Sequence, residues 1–252
     1  MSIDNVSEIT FAGKRFKVNL SKPIDISTPL KPGGIRAFYA DDVKIEPVVS
    51  GSFIGDVSQG GSVNFRNIAF NPHGNGTHTE CVGHIHKDWQ KVNELPIPFF
   101  MLAKLITPDF ETLENGDLVI TKTSLIKVVS TQENLQAIVI RTLPNTDTKL
   151  STDYSGNNAP YFDKDALAYL VSLGIEHLLT DLPSVDREKD EGKLSGHKVW
   201  WDFEGGSRYN CTITELVYVP DRIPDADFLL NLNVANFSAD ASPSRPLLFE
   251  LI

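Results

Sequence analysis

Two β-branched apolar runs, Leu135-Gln136-Ala137-Ile138-Val139-Ile140-Arg141 and Ile175-Glu176-His177-Leu178-Leu179-Thr180, flank one well-marked helix, and this spacing constrains the fold more than any other feature of the sequence. The helix is expected to start at Phe162-Asp163, with Asp163 as N-cap, Ala166, Leu167, Leu170 and Val171 on one face, and Gly174 as the stop. Strand, helix, strand in this order is βαβ-like and points to a mixed α/β sheet with helices on its faces. The first run is apolar throughout and reads as a central strand. A length of 252 residues suits one large domain, taken here as 1–252.

Around this unit the chain is rich in strands. Residues 9–19 place two short β-prone runs around Ala12-Gly13-Lys14, the pattern of a hairpin. Residues 25–34 carry two prolines and two glycines and read as a surface loop. Val63, Phe65, Ile68 and Phe70 suggest a strand running into the loop Asn71-Pro72-His73-Gly74-Asn75-Gly76. Residues 117–121 read as a buried strand, and residues 212–219, 228–232 and 247–251 as a β-rich tail. Residues 186–196, the most charged stretch, are expected to form an exposed loop.

Composition excludes several partners. With 23 Lys+Arg against 33 Asp+Glu, the net charge of −10 removes the electrostatic attraction that dominates nucleic-acid binding. The greasiest stretch, residues 97–106, carries Lys104 and is about half of the roughly 18–20 apolar residues a membrane span needs. No membrane partner is expected. Cys81 and Cys211 are too few for a disulfide framework, and the first residues carry Asp4 and Glu8 without a secretory apolar run, which favours the cytoplasm.

Four of the six histidines lie within fourteen residues, at 73, 78, 84 and 86. If residues 78–86 are extended, the period of two puts His78, Glu80, His84 and His86 on one face and Thr79, Cys81, Gly83 and Ile85 on the other. A helix would set His78 and Glu80 about 200° apart, so the extended reading is preferred. Imidazoles and a carboxylate on one face suit Zn²⁺ or Mn²⁺ without any thiolate. Glu215, inside the apolar run Ile213 to Val219, needs a partner or a cation. His86 reads as a peripheral or surface residue, His177 as a strand histidine without chemistry and Cys81 as a small buried hydrophobe. Trp200, Trp201, Phe38 and Tyr39 could wall an aromatic pocket, though core packing is the commoner use of such residues.

The run Gly76-Thr77-His78-Thr79-Glu80-Cys81-Val82-Gly83-His84 resembles the His-x-Gly-Thr-His-x-Asp-x-Pro-x-His signature of the cyclase family of metal-dependent hydrolases, which includes bacterial kynurenine formamidases and isatin hydrolases. Four further segments resemble that family in the same order: Asp25-Ile26-Ser27-Thr28-Pro29-Leu30, Thr180 to Asp186, His197 ahead of Thr214-Glu215-Leu216, and Ser242-Pro243-Ser244-Arg245. The resemblance implies a swivelling β/β/α domain, an α/β fold with a mixed β-sheet and flanking helices. It implies His78 and Glu80 as metal ligands, His84 as the acid/base histidine, and His197 and Glu215 completing the shell of one or two divalent ions. The family's first ligand falls at position 74, which is Gly74 here, so His73 is the nearest substitute and a one-residue insertion is implied. Glu80 and Val82 stand where the signature has Asp and Pro, which marks a divergent subgroup.

The implied activity is hydrolysis of an amide bond in a small molecule, arylformamidase-like (N-formylkynurenine to kynurenine and formate) or acting on a cyclic amide, in a homodimer or homotetramer. Two other classes compete. A cupin-like oxygenase also binds metal on strands, but His84-Ile85-His86 lacks a Glu three or four residues on. A non-catalytic binding protein on a decayed hydrolase scaffold would account for Gly74 and Glu80.

Overall fold

Successive residues of a strand point to opposite faces, so an apolar strand can serve two cores at once. Ala137–Ile140 does so in the computed structural model, which describes residues 6–11, 13–129 and 135–252. Ile138 and Ile140 belong to one buried cluster with Leu167, Leu170 and Trp200, whereas Ala137 and Val139 belong to another with Leu105, Leu179 and Leu230.

The two clusters lie on either side of a barrel wall. Its strands are β1 (Ile24–Asp25), β2 (His78–Glu80), β3 (Phe100–Ile106), β4 (Ala137–Ile140), β5 (His177–Thr180), β6 (Thr212–Glu215), β7 (Asp227–Val234) and β8 (Ala241–Glu250). They pair in the order β7-β3-β4-β5-β6-β2-β8-β1, and β7 pairs with β8 as well. That last pairing closes seven strands into a ring with no free edge, leaving β1 as an extension of β8. Neighbours from β3 to β6 are parallel and the other pairings antiparallel. Met101, Leu105, Val139, Leu179, Phe228 and Leu248 fill the interior, each such side chain contributing about 1.5–3 kcal/mol by leaving water. The helices α1 (Lys122–Val128), α2 (Lys164–Ser172) and α3 (Ser195–Trp200) pack on the outside through Leu125, Leu167, Leu170 and Trp200.

The expected βαβ unit is present. β4 and β5 are parallel neighbours joined through α2, and Asp163 caps that helix by accepting from the Ala166 N–H at 2.5 Å. The N-terminal hairpin pairs Val6–Phe11 with Lys14–Asn19, its turn residue Ala12 lying outside the described residues. Three expectations change. Leu118–Ile120 is a strand of a separate small sheet with Glu111–Thr112 and Tyr161–Phe162, not of the barrel. Residues 187–194 do form a loop, but Asp186 at its start is buried because its carboxylate caps α3, accepting from the Gly196 and His197 N–H groups. The strand around residue 68 spans only Arg66–Ala69, pairs with Lys44–Pro47, and stays exposed. Trp200 and Trp201 are fully buried core residues. No helix among the described residues is long and apolar enough to cross a membrane.

His177 is a buried strand histidine whose Nδ1 lies 2.8 Å from the Thr212 hydroxyl. Burial, with the charge of Arg208 added, pushes its pKa from 6.5 down to about 4. Below pH 6.5 the unfolded chain takes up a proton that the folded chain refuses, so stability falls as pH drops from about 6.5 to about 4. The loss is expected to be on the order of 3 kcal/mol across that window. Urea midpoints of the native chain and His177→Gln should diverge at pH 7 and converge toward pH 4; parallel curves would contradict this assignment.

Candidate metal centre

The site is built on β2, a three-residue strand clamped on both sides. His78 faces Glu215 on β6 and Pro243 on β8, and Glu80 faces Ile213 and Ala241. The period of two sends Thr79 into the barrel, where its hydroxyl lies 2.8 Å from that of Thr214. His78 and Glu80 therefore leave the wall together, on the side of the helices. The backbone beside them is tied down by Thr77, whose hydroxyl donates to the Leu216 carbonyl (2.7 Å) and accepts from the Thr28 N–H (2.7 Å). One hydroxyl thus fixes the residue before His78, the residue after Glu215 and the proline-rich N-terminal loop.

The extended reading of residues 78–86 holds only to Cys81. Val82–His84 form a 3₁₀ turn, with the His84 N–H on the Cys81 carbonyl and the His86 N–H on that of Val82. Gly83 explains the change: a Cβ there would collide with the Gln90 carbonyl oxygen, so the chain folds back where only glycine fits. The turn returns His84 to the site by another route. His86 is carried away to lie against the rings of Phe203 and Tyr209. Cys81 is buried, its thiol on the Gln90 carbonyl, and both cysteines are free.

All six of the expected site residues come together. His73 Nδ1 lies 3.0 Å from Glu80 Oε2, His197 Nε2 lies 3.3 Å from Glu80 Oε1, and His78 Nε2 lies 3.4 Å from Glu215 Oε2. The His84 ring stacks 4.1 Å from that of His73 and 5.4 Å from that of His197. A side chain at position 74 would run into the Ala40 methyl, and the ring reaching the site belongs to His73 instead.

Three of the imidazoles share one arrangement. The Nδ1–H of His78 donates to the Gly76 carbonyl (3.1 Å), which can only accept, so the Nε2 lone pair faces the carboxylate of Glu215. His197 places Nδ1 against Asp186 (2.6 Å) and Nε2 against Glu80. His73 places Nε2 against Asp240 (2.7 Å) and Nδ1 against Glu80. Each ring is held by one nitrogen and aims the other at a carboxylate, as metal-binding histidines do. His78 Nε2 and Glu80 Oε1 are buried with no hydrogen-bond partner, which leaves two electron-pair donors that a cation would satisfy.

The electrostatics agree. Burial would lower the His73 and His197 pKa values, but Asp240 and Glu80 on the first, and Asp186, Glu80 and Glu215 on the second, raise both to about 10. Burial raises Glu215, and the neighbouring Glu80 adds to this. Glu80 itself is held well below the usual carboxylate range, its burial outweighed by His84, His197 and His73. Among the described residues, three sets have ligand atoms within 4.8 Å of one another: His73, His78 and Glu80; His73, His84 and Asp240; and Glu80, His84 and His197. Glu215 adjoins the first through His78. The donor set fits a hard or borderline divalent cation.

Sequence reasoning assigned no role to Asp240 or Asp186, and gave Phe38 as one of four residues that could wall an aromatic pocket. Asp186 lay inside a segment resembling the family, whereas Asp240 carried no signal beyond its place just before Ser242-Pro243. Phe38, in the left-handed region (φ 57°) beside Tyr39 (φ 55°), lines with Asn71, Ser184 and Leu194 a cavity of about 420 Å³ that opens onto His84. Such backbone costs about 1–3 kcal/mol per residue and is typical of binding sites.

The Cyclase family model matches residues 19–187. The kynurenine formamidase of Bacillus anthracis is 28% identical over 229 residues, 90% of this chain and 97% of that protein. The corresponding protein of Bacillus mycoides is 29% identical over 230 residues with the same coverage. An isatin hydrolase bound to the product analogue thioisatinate has the same fold, with a TM-score of 0.65 at 15% identity over 92% of this chain and 93% of that one.

Proposed function

We propose, from the premise that this chain belongs to the cyclase family, that it is a metal-dependent hydrolase of a small-molecule amide, with arylformamidase-like activity on an N-formyl arylamine such as N-formylkynurenine. The observation that carries this is the set of three anchored imidazoles aimed at Glu80 and Glu215, with His78 Nε2 and Glu80 Oε1 left without partners. Cyclic-amide hydrolysis would use the same groups.

In this reading His73, His78 and Glu80 hold a first ion, and His197 and Glu215 complete its shell or hold a second. A divalent cation so bound, Zn²⁺ or Mn²⁺, polarises a carbonyl and makes water acidic enough to ionise near pH 7. The chain does the rest. Phe38 offers an aromatic face for an aryl group in a cavity that the buried Glu80, His197 and Glu215 also line. His84, part-exposed at that cavity, is within reach of a departing nitrogen. As a water oxygen adds to the formyl carbon, His84 takes the water's proton; as the tetrahedral carbon collapses and its C–N bond breaks, His84 returns that proton to the nitrogen, releasing a free amine and formate.

The test is elemental analysis of protein purified without added metal, together with formate release from N-formylkynurenine and ring opening of a cyclic amide. Near-stoichiometric Zn or Mn with turnover of either substrate supports the reading. No metal, even after incubation with both ions, overturns it, and metal without turnover of any amide leaves the non-catalytic binding role.

Assembly as a homodimer or homotetramer is part of the same proposal. Its support is the exposed ribbon of Lys44–Pro47 and Arg66–Ala69 with the chain between them, where Val49, Phe65 and Ile68 are 65%, 59% and 58% exposed. Side chains of this kind on a two-stranded ribbon bury little within one chain and mark a contact surface. Sedimentation should give the mass of two or four chains; the mass of one would contradict it.

A further inference from the structure

His73 reaches the site from a loop, where nothing like the flanking strands of β2 orients it. Its backbone is fixed by Asn71, whose side-chain oxygen accepts from the N–H groups of His73 (3.0 Å) and Gly74 (3.1 Å). That leaves the ring itself, part-exposed and free to turn about its own bonds unless something holds it.

Asp240 is what holds it. Its Oδ2 accepts from His73 Nε2–H at 2.7 Å, while its Oδ1 accepts from Trp89 Nε1–H at 3.1 Å. The Asp240 carbonyl accepts from the Cys81 N–H, and the next residue, Ala241, pairs with Glu80. The carboxylate is therefore anchored to the same strand that carries Glu80. Carboxylates thus face both ring nitrogens, Asp240 on Nε2 and Glu80 on Nδ1 at 3.0 Å, so when a cation takes Nδ1 the remaining ring proton stays on Nε2, against an oxygen that can only accept.

We propose that Asp240 is the positioning residue that makes His73 a metal ligand through Nδ1, so that a side chain one position early serves where Gly74 leaves no room for one. This rests on the metal-binding reading above. It gives His73 the same kind of support that Asp186 gives His197 and the Gly76 carbonyl gives His78. Trp89, itself in the left-handed region (φ 42°), steadies the second oxygen.

The test measures Zn²⁺ affinity by competition with a chromophoric chelator for the native chain, Asp240→Asn, His73→Ala and the double variant. Loss of such an outer partner costs roughly 10–100-fold in metal affinity. Asp240→Asn is expected to fall by that much, His73→Ala at least as far, and the double variant no further than His73→Ala alone. The urea midpoint of metal-stripped Asp240→Asn should match that of the native chain, which separates positioning from a general structural role. In the Zn²⁺-loaded native chain, ¹⁵N spectra of the histidine rings, with the His73 signals identified by their absence in His73→Ala, should show its proton on Nε2. Native affinity in Asp240→Asn, additive losses in the double variant, a matching loss of fold stability, or a proton on Nδ1 would each overturn the proposal while leaving metal binding intact. A native chain that binds no Zn²⁺ would overturn both readings.

Discussion

Glu80→Gln is expected to strip the protein of metal and to lower kcat/KM for amide hydrolysis by about 10³-fold or more, since a single preorganised electrostatic partner alone carries about 10²–10³. The size of the effect follows from the position of this carboxylate. One oxygen faces His73 and the other faces His197, so Glu80 joins an imidazole from the loop and an imidazole from α3 into one centre. The amide keeps the shape of the side chain but replaces one electron-pair donor with an N–H₂ group. Elemental analysis after dialysis should fall from near-stoichiometric to near zero. The melting temperature of the metal-stripped variant should fall below that of the stripped native chain, because Glu80 is held ionised by His84, His197 and His73, and the amide leaves those imidazoles without their carboxylate. Metal retained at native stoichiometry would show that Glu80 is not a ligand.

His84→Gln should behave differently. It is expected to keep its metal and lose about 10²–10⁴-fold in kcat, the range that positioned proton transfer contributes. Three sets of ligand atoms surround this region and His84 belongs to two of them, so the retained metal is the decisive measurement. A second readout is the leaving group. Anilides whose amines depart readily need less help from an acid and should be far less affected than those with poor leaving groups. Metal lost together with activity would make His84 a ligand and leave the protonation of the leaving nitrogen to another group.

The parts of this site that could be read from the sequence are those governed by local rules. His78 and Glu80 share a face because alternation is a property of any strand, and Glu215 called for a partner because it sits among apolar residues. The βαβ unit was legible because α2 carries both a cap and a stop. What escaped depends on contacts between distant segments. The turn at Val82–His84 sets Gly83 against the Gln90 carbonyl, a close approach that no pattern around residue 83 records. α1 and α3 have seven and six residues, too few for a periodic apolar stripe to declare itself. Closure of the barrel rests on β7 meeting β8, and Asp240 matters only because the pairing of β8 with β2 brings it beside His73. The resemblance to the cyclase family supplied His197, whose surroundings alone would have read as surface.

The placement of β2 between β6 and β8 has a consequence for synthesis. A ribosome delivers His78 and Glu80 well before their neighbours at 213–215 and 241–243, which lie more than 130 positions further along the chain. Until then a three-residue strand has nothing to pair with, and long-range pairings of this kind form late. The centre is thus completed only once residues 241–243 have appeared. Nascent chains ending before residue 241 should hold no metal, so an unfinished product carries the histidines without the reactive site they will form.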